Sequence, residues 1–445
     1  MKVQYFSSAC VMIEHKGIRI LCDPWLSDGI YYGSWFHYPP LKYKPEDFLN
    51  VDYIYISHIH PDHMDVESLI RFPRNIKILI HDYADKYVLR ILRNLGFENI
   101  QEVSHKEIVL LDEDFTMEIL ASDNCDPQVC GKFMGCSITV PYNRTIQIDS
   151  LAVFHASGKT IVNTNDCPYG LAYSVCDYIV RKYKTIDFLL VGYAGAGPFP
   201  QCFEMDHEDK LKKALAKKSQ FLEESVKYIK HLQPKHFMPF AGQYVLGGRL
   251  SNLNDYRGVP DLEELPELFG SYSYIKESKI ILLNSGEWFD VLEGEASEIF
   301  TPPNKEERDR YIKEVLSLKK YNYELKRIEQ DSSEIVLIKL KEAHTRMLKH
   351  QDKEGGYRSE WNIYINVGHP ILYRIPFDGN SVSIVEPGEE IQPFVKITLD
   401  YSLFDMILNR KAHWNNAEIG SHLHYVRQPE VFERGIYHFL SFLHL

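Results

Sequence analysis

The stretch YIYISHIHPDHMDVESL, beginning at Tyr53, constrains this chain more than any other. An apolar run with strand character leads directly into His58, His60, Asp62 and His63. Side chains at i and i+2 of an extended segment share a face, which puts His58 and His60 together, with Asp62 and His63 on the turn that follows. Imidazoles and carboxylates are costly to bury alone. Coordination offsets that cost, and neutral imidazoles with carboxylates suit Zn, Fe or Mn. Four candidate ligands this close can supply parts of two adjacent metal sites. A polar turn with unrelated histidines accounts less well for the spacing and the strand context together.

A chain of 445 residues exceeds one compact core and implies two or three domains. The net charge of −12 argues against a general nucleic-acid or anionic-membrane surface. No apolar run approaches the roughly 18–20 residues that span a bilayer, and the first residues alternate like strands rather than forming a signal peptide's apolar core. The 8 cysteines read as thiols rather than as a disulfide framework. These features imply a cytoplasmic globular protein.

Strands are expected from Val3 to about Cys22 with a turn at Lys16-Gly17, over Val51 to Ser57, and over IKILIH. MDVESLIRF predicts a short helix, and YADKYVLRILRNLG a helix closed by Gly96. Several strands follow from Glu102 to Val140, then a hairpin around Ser157-Gly158. IDFLLVGYAGAGPFP reads as a buried strand entering a Gly/Pro loop, and HEDKLKKALAKKSQFLEESVKYIKHLQP as a long amphipathic helix stopped by Pro234. The texture changes after about Ser251, which divides the chain into 1–250, a connecting segment 251–305 and a C-terminal α+β unit 306–445. In the first unit helices follow strands and cover sheets, an α/β (α+β) arrangement.

SHIHPDHMD after a strand resembles the HxHxDH motif of the metallo-β-lactamase superfamily. That resemblance implies an αββα sandwich with metals at the sheet edge. It further implies that Asp23, in ILCDPW, hydrogen-bonds the histidine turn and that Asp166, in TIVNTNDCPY, bridges two ions. DPWL, ISHIHPDH, NTNDC, GAGPFP, the Lys-rich helix and LQPKHFMPFAG also occur in the order seen in the catalytic portion of the CMP-N-acetylneuraminate hydroxylase family, and AHWNNAEIGSHLHY resembles part of that group's C-terminal region. This resemblance spans about Val3 to Gly242 and implies iron and a sugar nucleotide or related anionic metabolite.

The departures bear on chemistry. The hydroxylase family carries a Rieske cluster on Cys-x-His and Cys-x-x-His pairs, and neither pair occurs here. An oxygenase reading therefore needs a separate electron-transfer protein. Hydrolytic relatives place a histidine before the bridging Asp, where VPYNRTIQIDSLAVF offers Asp149, and another after the late strand, where this chain has MPFAG. Asp149, Asp123 and Asp126 are candidates for an oxygen-richer site, which favours Fe or Mn over Zn. Gly195 and Gly197 in GAGPFP are candidates for bringing backbone N–H groups to an anionic substrate. SGKT lacks the phosphate loop's first glycine, since Val153 stands there, and reads as a hairpin turn. Cys125, Cys130 and Cys136 are too widely spaced for a metal clip, and His207 reads as solvated. His422 and His424 are expected on one strand face, and His413 and Trp414 in a core or interface.

The leading expectation is a metal-dependent hydrolase of a small anionic metabolite, with one or two divalent ions on His58, His60, Asp62, His63, Asp166 and Asp149. Asp62 would orient the nucleophile or relay a proton. Non-haem iron oxygenation with an external reductase, and a non-catalytic binding module, are the alternatives. A homodimer is compatible with the C-terminal unit's apolar content.

Overall fold

The structure, a computed structural model, describes residues 1–122, 149–325, 328–353 and 356–444. Asp123, Asp126, Cys125, Cys130 and Cys136 lie outside the described residues.

Two sheets face each other. The first runs in the order Glu295–Ala296, Trp288–Asp290, Lys2–Ser7, Cys10–His15, Ile18–Cys22, Tyr53–Ile56, Lys77–His81, Ile100–Val103. The second runs Lys279–Ile280, His236–Phe240, Phe188–Gly192, Lys159–Asn163, Ser150–Ala156, Phe115–Ala121, Ile108–Asp112. Alternation assigns the faces. Ala152 and Phe154 join Tyr5, Val11, Ile20, Tyr55 and Leu79 in the core between the sheets. Their neighbours Leu151 and Val153 turn outward to Val175, Ile179, Val226 and Ile229 of helices Tyr169–Tyr183 and His207–Leu232. On the opposite side Ile54, Ile56, Ile78 and Ile80 pack beneath Val66–Leu69 and Tyr87–Asn94. Strands buried on both faces read as unbroken apolar runs, which is why YIYI shows no polar alternation. The layers are therefore α, β, β, α.

Local chemistry explains the joints. Ser157 and Gly158, at φ 50° and 71°, make the two-residue turn between Ser150–Ala156 and Lys159–Asn163. Asp206 caps helix His207–Leu232 by accepting from Asp209 N at 2.9 Å, and Gln233 ends it in the left-handed region before Pro234.

The segment 251–305 differs from the connector expected of it. Lys279–Ile280 extends the second sheet beside His236–Phe240, and Trp288–Asp290 pairs antiparallel with Lys2–Ser7. Strands of two or three residues carry too few side chains for a period to register in the sequence.

The remaining chain builds a five-stranded sheet, Ser383–Val385, Leu372–Pro376, Asn362–Asn366, Phe394–Thr398, His424–Gln428, packed on helix Ser333–Lys353. Its core includes Cys202 and Phe203 from the sandwich, and the Phe203 ring stacks on Tyr425 with centroids 4.6 Å apart. Among the described residues no helix is long and apolar enough to cross a membrane, and Cys10, Cys22, Cys167, Cys176 and Cys202 are buried free thiols.

Candidate metal centre

Strands Ile18–Cys22 and Tyr53–Ile56 are parallel neighbours, with Cys22 opposite Tyr55, so their carboxyl ends put Asp23 beside Ser57. Asp23 is fully buried. It accepts from Ser57 N at 2.7 Å and Ser57 Oγ at 2.6 Å, and bonds His63 Nδ1 at 2.7 Å. The turn after His58 closes on itself through His63 N and Met64 N, both donating to His60 O, and Asp65 caps the short helix Val66–Leu69. Asp166 arrives from the other sheet, three residues beyond strand Lys159–Asn163.

Two ligand groups result. His58, His60 and Asp166 form one, Asp62, His63 and Asp166 the other, and within each group the ligating atoms lie within 4.8 Å of one another. Asp166 belongs to both: its Oδ2 is 3.3 Å from His63 Nε2 and 4.0 Å from His58 Nε2. His58 Nε2 is 2.9 Å from His60 Nδ1. The Asp166 side chain is 34% exposed, so the centre opens to solvent at that carboxylate.

The surrounding contacts choose the tautomers. His63 Nδ1 faces Asp23, His60 Nε2 faces Asn415 Oδ1 at 3.2 Å, and His58 Nδ1 faces Ser57 Oγ at 3.0 Å. With a proton on each of those nitrogens, the lone pairs of His63 Nε2, His60 Nδ1 and His58 Nε2 all turn toward Asp166. Burial, then the charges of His63 and His60, push the His58 pKa well down, and burial pushes His60 down as well, which keeps both neutral as ligands require. At His63 burial opposes charge, but Asp166, Asp62 and Asp23 outweigh it and raise the pKa well above its ordinary value. Three carboxylates thus hold a proton on this imidazole unless a cation takes the proton's place. His63 Nε2 is buried and has no hydrogen-bond partner. An orphaned nitrogen facing two carboxylates, with two more lone pairs converging, fits a divalent cation.

Asp149 stands apart from these groups. Its Oδ1 accepts from Ser150 N at 2.7 Å and lies 3.4 Å from Nδ1 of His58, the nitrogen turned away from His60. Burial, then the charge of Asp166, push its carboxyl well up. In this geometry Asp149 orients His58 and lies outside both ligand groups, a correction to its candidacy as a ligand at the place where hydrolytic relatives carry a histidine. Gly195 is also placed differently. A Cβ on Gly195 would meet the Phe221 ring at 1.9 Å, so close helix packing requires that glycine. Gly197 offers its carbonyl to Gln201 Nε2 at 2.6 Å and to Lys217 Nζ at 3.4 Å.

Tyr31 and Asn415 were not found by spacing. Tyr31 donates to Asp62 Oδ1 at 2.5 Å. Tyr31 and Tyr32, at φ 50° and 61°, sit between Gly29 and Gly33, so the glycine-bracketed SDGIYYGSW was the available signal. Asn415 lies on helix Trp414–Ile419, which His413 caps by accepting from Asn415 N at 3.1 Å. Trp414 is fully buried, and the His413 ring packs on His444. His422 and His424 do not share a strand face, because the strand begins at His424. His422 is buried, donates from Nε2 to Tyr31 O at 2.7 Å and accepts from Tyr323 at 2.9 Å.

Layer order and ligand turn together give the chain the metallo-β-lactamase fold, and residues 2–116 match the model of the beta-lactamase superfamily domain. Over 264 residues the chain is 30% identical to a protein named as a Rieske 2Fe-2S iron–sulfur protein in Mycolicibacterium smegmatis, a match covering 58% of this chain and 47% of that protein. It is 25% identical over 257 residues to cytidine monophosphate-N-acetylneuraminic acid hydroxylase of Mus musculus, covering 55% and 39%. The chain thus spans less than half the length of either relative. Among solved structures it is similar to an isothiocyanate hydrolase from Delia radicum gut bacteria, with a TM-score of 0.46, 16% identity and coverage of 65% of this chain and 99% of that one.

Proposed function

We propose that this chain is a metal-dependent hydrolase of a small anionic metabolite, built around two divalent ions. The observation that carries the reading is the sharing of Asp166 between two ligand groups, one with His58 and His60 and the other with Asp62 and His63. Divalent ions held by these atoms would supply Lewis acidity and an activated water at neutral pH. The protein's own part is orientation and charge. Asp23 fixes His63, Asn415 fixes His60, and Tyr31 holds one oxygen of Asp62, leaving the other toward His63 at 3.6 Å. Asp62 is thereby positioned to orient a nucleophile or pass a proton at the edge of the centre. Among the described residues, five buried free thiols fit a reducing, cytoplasmic setting.

A second reading, iron-dependent oxygenation with an external reductase, is favoured by the hydroxylase relative and by a ligand set with fewer histidines than hydrolytic relatives use. Elemental analysis of anaerobically purified protein, paired with assays, separates the two. Two equivalents of zinc with ester or phosphoester hydrolysis support the hydrolase. Iron, with oxygen uptake that depends on an added reductant, supports the oxygenase. Absence of any metal affinity overturns both in favour of a binding module.

A further inference from the structure

A second polar locus lies outside the candidate centre. A cavity of about 50 Å³ is lined by Tyr193, Tyr244, Arg257, Asp261, Lys305 and Arg308, among others. Arg257 is 8% exposed, yet meets no carboxylate at ion-pair distance among the described residues. Its Nε donates to Asn254 O at 3.2 Å and its Nη1 to Tyr244 O, and the guanidinium lies 4.9 Å from the Tyr244 ring centroid. Two acids line the cavity and neither pairs with Arg257: Asp261 takes Arg308 at 2.5 Å and Lys305 at 3.6 Å, and Glu263 is exposed. Tyr193 and Tyr244 are 0% and 5% exposed, and both hydroxyls are buried without a hydrogen-bond partner.

A buried guanidinium without counter-charge and buried hydroxyls without partners are each destabilising by themselves. Three such groups around one cavity share a single complement, a group with several acceptor oxygens and negative charge. We propose that this cavity binds one small oxyanion, a phosphate or carboxylate group, held by Arg257 with the hydroxyls of Tyr193 and Tyr244. A water needs roughly 10–15 Å³ by the same measure, so the space takes a head group and not a nucleoside. The ligand is a free anion or the tip of a longer molecule.

The site is wired to the metal centre through rings. Tyr244 stacks on Trp35 at 3.5 Å and 2°, Trp35 packs on Tyr31 at 4.7 Å, and Tyr31 holds Asp62. Filling the cavity fixes Tyr244 and, through that stack, the carboxylate of a candidate ligand. The inference does not rest on which reaction the centre performs.

The test is calorimetric titration and thermal unfolding of the full chain with inorganic phosphate and, separately, acetate, against chloride at equal ionic strength. Wild type is expected to bind one equivalent saturably and to melt higher. Tyr193→Phe is expected to bind about ten-fold more weakly, and Tyr193→Phe with Tyr244→Phe about a hundred-fold more weakly. Without added anion, Tyr193→Phe is expected to melt no lower than wild type, because the hydroxyl it removes makes no bond. Tighter phosphate than acetate identifies a phosphoryl ligand, and the reverse a carboxylate. No saturable binding of either anion, unchanged affinity in Tyr193→Phe, or an anion-free loss of stability in that variant overturns the proposal.

Discussion

Asp166 touches both ligand groups, so its charge is the quantity to vary. Two ions 4 Å apart without a shared counter-charge repel by ~4 kcal/mol per pair of unit charges at an effective dielectric of 20. Asp166→Ala is expected to hold at most one ion and Asp166→Asn an intermediate amount, read by elemental analysis at matched folding. Asn415→Ala frees the His60 tautomer and is expected to weaken metal affinity about 10–100-fold, read by chelator competition. A different residue sets a pH effect. Lys217 is 8% exposed, and burial, assisted by Arg257 and opposed by Cys202, lowers its pKa to about 7. From about pH 7 to 10.5 the unfolded chain then binds the proton that the folded chain has released, so this residue's destabilisation fades as pH rises, by at most ~1.4 kcal/mol per unit. Lys217→Met is expected to stabilise the fold at pH 6.5 and to lose most of that advantage by pH 9.5, measured by urea unfolding of both proteins. The ligand turn was legible because His58, His60, Asp62 and His63 fall in one short stretch. Tyr31 and Asn415 were not, because spacing along a chain says nothing about contacts made across it.

Elements were legible where their chemistry is local. The Ser157-Gly158 turn, the Asp206 cap and the apolar runs of the central strands each declare themselves within a few residues. The short strands at Lys279–Ile280 and Trp288–Asp290 join their sheets by pairing with His236–Phe240 and Lys2–Ser7, partners far away in sequence. Gly195 shows how an element contact can resemble a functional signal. A glycine in a Gly/Pro loop invites a ligand-binding reading, whereas here Phe221 of helix His207–Leu232 occupies the space a side chain would need. Gly195→Ala is expected to cost about 1–3 kcal/mol in urea unfolding. Equal stability would mean that the loop and helix separate freely.

At the scale of the molecule, the sandwich and the C-terminal unit share a core around Phe203 and Tyr425, and are tied by Glu204 N to Tyr425 O at 2.8 Å and by His422 to Tyr31. The exposed coil at Thr301–Asn304 is the natural place for a nick. Limited subtilisin digestion is expected to cut there while the two fragments migrate together on a native gel and separate only in denaturant. The contact between His60 and Asn415 has a further consequence, because its partners are 355 residues apart. During synthesis at about 5–20 residues per second, the histidine turn leaves the ribosome tens of seconds before its amide partner exists. Until then His60 is free to present either nitrogen, and any ion captured early meets an unfinished coordination sphere. If these residues hold a metal, selection of the correct one would be a late event in the life of each molecule, made when the last part of the chain docks against the first.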